Sequence, residues 1–99
     1  MTRQVNLTVN ETPITLDYFV EKYIYHVVEG MLASLEGTGD IGSADMSIDD
    51  GGQVTINLNN AQVPINPFVN MIINKTMVAI VSNLKGVNEI NRLNLTIRK

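Results

Sequence analysis

The sequence QVNLTVN at residues 4–10 returns as QVTINLN at residues 53–59, and this recurrence decides the fold. A shift of 49 positions aligns residues 4–48 with residues 53–97 without a gap, and ten of the 45 aligned pairs are identical. Most of the other pairs keep their polarity. A period near 50 residues indicates one supersecondary unit that is used twice. We therefore predict a single domain over residues 1–99 with two equivalent units, residues 4–48 and residues 53–97.

Each unit reads as a strand, a helix and a second strand. Apolar and polar residues alternate over four stretches, which is typical of strands with one buried face: Gln4–Val9, Ala44–Asp49, Gln53–Asn59 and Leu93–Arg98. Between them, apolar residues recur every three or four positions, which predicts two amphipathic helices with these core stripes: Val20, Ile24, Val27, Met31 and Leu35, and Val69, Ile73, Thr76 or Met77, Ile80 and Leu84. The second helix is expected to end at Gly86. The turn sequence Asp49-Asp50-Gly51-Gly52 joins the second and third strands as a hairpin.

The resulting element order, β-α-β-β-α-β, resembles the ferredoxin-like α+β sandwich. Two units that each expose one apolar sheet face and one apolar helix stripe must share a core. Right-handed crossovers then imply a four-stranded sheet of order 4-1-3-2, with a quasi-twofold axis between strands one and three. The alternative is order 1-2-3-4, in which each parallel pair is adjacent. Unrelated functions share this fold, so the resemblance implies no activity.

Composition is that of a globular protein, with 44% apolar and 17% charged residues. The chain has no cysteine, its N-terminus lacks the apolar run of a signal peptide, and its longest apolar run is Met77–Val81. We predict a cytoplasmic protein that does not contact membranes. The halves differ in charge: residues 1–50 hold nine acids and two bases (net −7), and residues 51–99 hold one acid and five bases (net +4). Such asymmetry can align molecules on encounter.

No residue pattern predicts catalysis, a cofactor or a metal. His26 is the only histidine, so it has no second imidazole or thiolate to complete a zinc site. The acids Asp45, Asp49 and Asp50 lack the spacing of a calcium loop. No serine lies in a nucleophile motif. We therefore expect a protein that is not an enzyme, with no catalytic, cofactor-binding or metal-binding residues.

The sheet face away from the helices is expected to carry only Asn, Gln, Thr, Ser, Asp and one Arg. RNA-binding domains of similar architecture stack bases on aromatic residues of this face. The absence of aromatic residues there predicts that the protein does not bind nucleic acid.

The second helix offers the one surface that suggests a partner. Met71 and Val78 align with the polar Lys22 and Glu29 of the first helix, which predicts an apolar stripe on an outward face. The candidate interface is Met71, Lys75, Val78 and Ser82, through which the second helix meets the same helix of another chain or docks on a protein partner. Gly30, in the middle of the first helix, predicts a close approach between the two helices of the chain.

We therefore expect a small non-catalytic interaction or assembly domain that self-associates, as a homodimer or a larger homo-oligomer. The alternative is a ferredoxin-like module that binds a small regulatory ligand, either between subunits or at the loops Asn10–Leu16 and Asn59–Ile65. A sheet edge and the polar sheet face remain open as further contact surfaces.

Overall fold

The computed structural model describes residues 4–36 and 41–98, and this part of the chain forms six strands and two helices. In chain order the elements are β1 (Gln4–Val9), β2 (Thr12–Ile14), α1 (Tyr18–Glu36), β3 (Ser43–Ile48), β4 (Val54–Leu58), β5 (Ala61–Gln62), α2 (Pro67–Val81) and β6 (Leu93–Arg98). Each element of the first half has a counterpart about 49 positions later. The protein is therefore of α+β character, with helices and an antiparallel sheet.

The strands form one sheet of order β2-β1-β6-β3-β4-β5, in which every neighbouring pair is antiparallel. Alternate residues of the four long strands are buried against the two helices, which cover one face of the sheet. The prediction of a ferredoxin-like βαββαβ sandwich with sheet order 4-1-3-2 is wrong. The alternative order 1-2-3-4 is also wrong, because the sheet over residues 4–98 contains no parallel neighbours.

Two short hairpins account for the different topology. Asn10 and Glu11 have φ angles of 51° and 69°, and Asn59 and Asn60 have φ angles of 50° and 69°. Two successive positive φ angles define the type I′ turn that closes a two-residue hairpin. The hairpins place β2 on one edge of β1 and β5 on one edge of β4. Each of β1 and β4 then has a single free edge, which β6 and β3 occupy, so neither strand can have the two long neighbours that the predicted order requires.

The central pair of the sheet is β3 with β6. Met46 lies opposite Leu95 in this pair, and these two residues are themselves 49 positions apart. A quasi-twofold axis therefore passes through the Met46–Leu95 pair, and not between the first and third predicted strands. The same relation maps the β1–β6 register, where Val9 pairs with Leu93, onto the β4–β3 register, where Leu58 pairs with Ala44.

In each half of the chain, one asparagine forms hydrogen bonds with the backbone of the other half. The Oδ1 atom of Asn10 accepts hydrogen bonds from the backbone N–H groups of Asn91 and Arg92, at 2.8 and 2.9 Å. At the equivalent place, Asn59 Oδ1 accepts from the N–H groups of Gly42 and Ser43, at 2.8 and 2.9 Å. Asparagine suits these positions because it tolerates a left-handed backbone and carries a short acceptor.

The buried stripes of the helices agree with the predicted ones only in part: Ile24, Ile73 and Met77 are buried as predicted. In α1 the fully buried residues are Ile24, Tyr25, Val28 and Leu32, whereas the predicted Val20, Val27, Met31 and Leu35 are only partly buried. In α2 the buried residues are Ile73, Met77 and Val81. The predicted stripe and the observed stripe of each helix both consist of apolar residues at helical spacing. Spacing alone therefore does not indicate which of the two is buried.

The second helix also ends earlier than predicted. It stops at Val81, and the amides of Asn83 and Leu84 bond to carbonyls three residues back, as in a tighter 3₁₀ turn. The side-chain amide of Asn83 bonds to the carbonyl oxygen of Ala79 at 2.6 Å. This local competition for helix carbonyls is the reason for the early end. Gly86, with a φ of 87°, lies in the turn beyond it.

Candidate protein-docking surface

Both helices start at a side-chain cap in the same place. The Asp17 carboxylate accepts the N–H of Val20 at 2.8 Å, and the Asn66 side chain accepts the N–H of Val69 at 2.8 Å. Pro67 occupies the first position of α2, where its missing N–H costs nothing. These caps fix the residue at which each helix begins. They therefore determine which residues of the first two turns face outward.

The first turns of both helices expose large apolar side chains. Six large apolar residues are exposed among the described residues, and all of them lie on α1 or α2: Tyr18, Phe19, Tyr23, Phe68, Met71 and Ile72. Phe19 is 70% exposed and its counterpart Phe68 is 63% exposed. Tyr23 and Ile72 also occupy equivalent positions. They form two groups, one at the start of each helix, and we call the two groups together the outer apolar patch.

Within α1 the exposed side chains contact one another. The rings of Phe19 and Tyr23 stack with centroids 5.8 Å apart. The ammonium group of Lys22 lies 5.4 Å from the centre of the Tyr18 ring, a cation–π contact. The aromatic residues therefore form a continuous surface at the start of α1.

Small side chains follow the apolar patch along the same outward faces. Gly30, Ala33 and Ser34 are exposed on α1, and Ala79, Ser82 and Asn83 are exposed at the equivalent positions of α2 and the turn after it. A Cβ atom added at Gly30 would meet nothing within 4 Å. Gly30 therefore faces away from the described part of the chain, and the prediction that it allows α1 to approach α2 closely is wrong.

The predicted interface residues lie on α2 but are not equally accessible. Met71 is 47% exposed, and Lys75 and Ser82 are exposed, whereas Val78 is half-buried. Phe68 and Ile72 share this surface with Met71 and were missed by the sequence analysis. The sequence does contain a signal for this surface, because phenylalanine occurs at equivalent positions of both helices, Phe19 and Phe68. Both positions lie outside the predicted core stripes, so packing in the core does not explain why the same aromatic residue occurs twice.

A second polar network holds α2 against the sheet. Asn70 Oδ1 accepts the N–H of Val54 at 2.7 Å, and the Asn70 side-chain amide donates to the Gly52 carbonyl at 3.0 Å. Asn74 donates to the same carbonyl at 3.1 Å. These bonds run from α2 to the turn between β3 and β4, and they fix the rotation that turns Phe68 and Met71 outward.

The other surfaces are less suited to a protein partner. The edge strands β2 and β5 have three and two residues, β2 contains Pro13, and Pro64 follows β5. Short strands with proline give little backbone for another strand to pair with. The open sheet face is polar, and the Arg98 guanidinium pairs there with Asp45 at 2.9 Å.

The clefts in the described part of the chain contain no fully buried polar side chain. One of about 700 Å³ lies between the start of α1 and the end of α2 and is lined by Thr12–Thr15, Asp17, Val20 and Asn83–Gly86. Ligand sites usually combine an apolar pocket with a few polar groups that converge on the ligand. Among the described residues, no polar or charged side chain is fully buried. The cleft includes part of the predicted loop Asn10–Leu16, but nothing in it favours a ligand.

Charged side chains of the described residues form exposed ion pairs, as where Arg92 contacts both Glu11 and Asp50 at 2.7 and 3.3 Å. His26 Nδ1 lies 3.3 Å from Glu29 Oε1 on the exposed side of α1. Across residues 4–36 and 41–98, no three His, Asp or Glu side chains come together as a metal site. Neither of the two helices in the described part of the chain is long and apolar enough to cross a membrane.

Comparison of the chain with protein-family models, with curated proteins and with solved structures finds no match.

Proposed function

We propose that the protein is a small non-catalytic interaction domain that self-associates through the outward faces of α1 and α2. The observation that carries the proposal is the outer apolar patch. Every large apolar residue that is exposed among the described residues belongs to these two helices, and Phe19 and Phe68 recur at equivalent exposed positions. The patch consists of two groups of three residues, one at the start of each helix. Grouped exposed apolar residues mark interaction sites more often than single scattered ones do.

The type of side chain supports the same proposal. Aromatic residues and methionine are enriched in protein interfaces. Aromatic rings bury a large area for a small loss of conformational freedom, and methionine adapts its shape to the partner. The patch consists of four aromatic residues, one methionine and one isoleucine. The predicted interface on α2 becomes part of a larger surface: Met71, Lys75 and Ser82 stay in it as exposed residues, and Val78 lies at its partly buried margin. A cytoplasmic location stays a prediction.

The proposal is tested by the molar mass in solution. We expect light scattering to give a mass above that of the 10.9 kDa chain for the wild type at about 0.1 mM. The double variant Phe19→Glu/Phe68→Glu should have the mass of one chain, because two carboxylates cannot be buried in an apolar contact without partners. Both phenylalanines are exposed in the single chain, so circular dichroism should show that the fold is retained, while the melting temperature should fall by the stabilisation that association adds.

The control variant is Asn6→Glu/Asn94→Glu, which adds the same charge to the open sheet face, where both side chains are exposed. It should keep the mass of the wild type. A wild type that is a single chain at about 1 mM contradicts self-association. Equal loss of association in both double variants contradicts the role of the outer helix face.

A further inference from the structure

We propose that the contact surface of the partner is the same helix layer on a second copy of this chain, and that α1 of one copy packs antiparallel on α2 of the other. This arrangement rests on the self-association proposed above and specifies which helices meet. It differs from the pairing of α2 with α2 that the sequence predicts. Three observations lead to it: the order of large and small side chains on the outward faces, the quasi-twofold relation, and the net charge of the chain segment that contains each helix.

The order of large and small side chains favours antiparallel contact. On α1 the outward line begins with Phe19 and Tyr23 and continues with Gly30 and Ala33. The equivalent line of α2 begins with Phe68 and Ile72 and continues with Ala79, and Ser82 follows at its C-terminal end. An antiparallel pair places the large residues of each helix over the small residues of the other. A parallel pair would oppose large to large and small to small, which leaves gaps that close packing does not tolerate.

The quasi-twofold relation makes two closed dimers possible. Because it exchanges α1 and α2, the two helices run in opposite directions over the same sheet face. When two helix layers meet face to face, a dimer axis along the helices places each α1 on the α2 of the partner. A dimer axis across the helices places α1 on α1 and α2 on α2. Both dimers have antiparallel contacts, so the order of side chains does not choose between them.

The charges of the helices favour the dimer in which each α1 packs on the α2 of the partner. Residues 17–35 carry Asp17, Glu21, Lys22 and Glu29, a net charge of −2. Residues 66–85 carry only Lys75 and Lys85, a net charge of +2, and both lysines are exposed. Contact between α1 and α2 therefore brings opposite charges together at both places, whereas the other dimer brings like charges together twice. Complementary charge fixes the register and suppresses the wrong pairing.

The experiment reverses the charge of one helix at a time and measures the dissociation constant by analytical ultracentrifugation. At about 20 mM salt, where exposed charges are weakly screened, we expect Lys75→Glu/Lys85→Glu to weaken self-association about tenfold or more. Glu21→Lys/Glu29→Lys should weaken it similarly. The combined four-residue variant should recover the wild-type affinity, because its helices are again of opposite charge.

The two double variants also separate helix pairing from overall repulsion. Lys75→Glu/Lys85→Glu changes the net charge of the chain from −3 to −7, whereas Glu21→Lys/Glu29→Lys changes it from −3 to +1. Overall repulsion would weaken association only in the first variant. In a dimer of α1 on α1 and α2 on α2, helices of like charge face each other in the wild type and in both variants. Neither variant therefore changes the electrostatic repulsion between the helices into attraction.

Two double variants that both associate as the wild type does would overturn this arrangement and leave self-association standing. Weakening in the first variant alone would also overturn it. A wild-type chain that stays a single chain at about 1 mM would instead overturn the proposed function itself. Circular dichroism of each variant establishes that the fold is retained before the affinities are compared.

Discussion

Asn10 and Asn59 combine two properties that few residues share. Each has a φ near 50°, and each accepts two backbone N–H groups from the strand entrance of the other half. Glycine would keep the backbone conformation without the acceptor, and alanine would lose both. The sequence shows the identity of the two asparagines, but it does not show their partners, because Gly42 and Asn91 differ in side chain and contribute only backbone.

We predict that Asn59→Gly lowers the free energy of unfolding by about 1 to 2 kcal/mol, because the N–H groups of Gly42 and Ser43 lose their acceptor. Urea denaturation measures the change. The matched control is Asn60→Gly, in the same turn at a φ of 69°. Glycine is favoured at that position of a type I′ turn, so the control should keep or slightly raise stability. Equal destabilisation by both substitutions would show that the side-chain acceptor contributes nothing.

At the scale of elements, α2 is held on the sheet by its polar residues as well as by its apolar stripe. Asn70 satisfies the N–H of Val54 at the start of β4 and the carbonyl of Gly52 in the preceding turn. The equivalent position in α1 is Glu21, for which the structure shows no such bond to a turn. Within residues 4–36 and 41–98 this anchor is found on α2 only, and it sets the orientation of the surface that carries Phe68 and Met71.

We predict that Asn70→Ala lowers the free energy of unfolding by about 2 kcal/mol, because the N–H of Val54 loses its acceptor and the carbonyl of Gly52 keeps only the bond from Asn74. Asn83→Ala is the control, since the side chain of Asn83 is exposed and bonds within its own turn. Its effect should be within about 0.5 kcal/mol. Thermal or urea unfolding of both variants provides the comparison, and an Asn70 variant as stable as the control would contradict the anchoring role.

The elements show where sequence patterns are sufficient and where they are not. The four long strands and both helices follow from alternation and helical spacing, and the turn Asp49–Gly52 does join β3 and β4. The strands β2 and β5 give no such signal, because they have three and two residues and the first contains a proline. They nevertheless decide the topology by occupying one edge of β1 and one edge of β4.

The candidate surface was predictable only in part, for a related reason. The helices are apolar on more than one side, so the spacing of apolar residues allows more than one buried stripe. The structure buries Val28 and Leu32 of α1, and it turns Phe19 and Tyr23 outward. Met71 was recognised because its counterpart is a lysine, whereas Phe68 was overlooked because its counterpart is the same residue.

At the scale of the whole molecule, the two halves meet along β3 and β6. This pairing puts the quasi-twofold axis at Met46 and Leu95 and places α1 and α2 as equivalent, oppositely directed helices on one sheet face. The two outward faces, and therefore the proposed dimer, depend on it. A sheet with β1 and β4 at the centre would have the same apolar alternation, so alternation alone does not identify the central pair.

The most direct test of this central pairing is a pair of engineered disulfides, which the absence of cysteine makes straightforward. Ser47 lies opposite Asn94 in the β3–β6 pair, on the open sheet face. Their Cα atoms should be about 5 Å apart, within the range for a disulfide. Thr8 on β1 and Thr55 on β4 lie on the same face but are separated by β6 and β3, a distance of about 14 Å.

Mass spectrometry after mild oxidation, on the chain with Ser47→Cys/Asn94→Cys and on the chain with Thr8→Cys/Thr55→Cys, gives the answer. We predict an intramolecular disulfide in the first chain and none in the second. A disulfide within the Thr8→Cys/Thr55→Cys chain, together with free thiols in the other, would contradict the central β3–β6 pair.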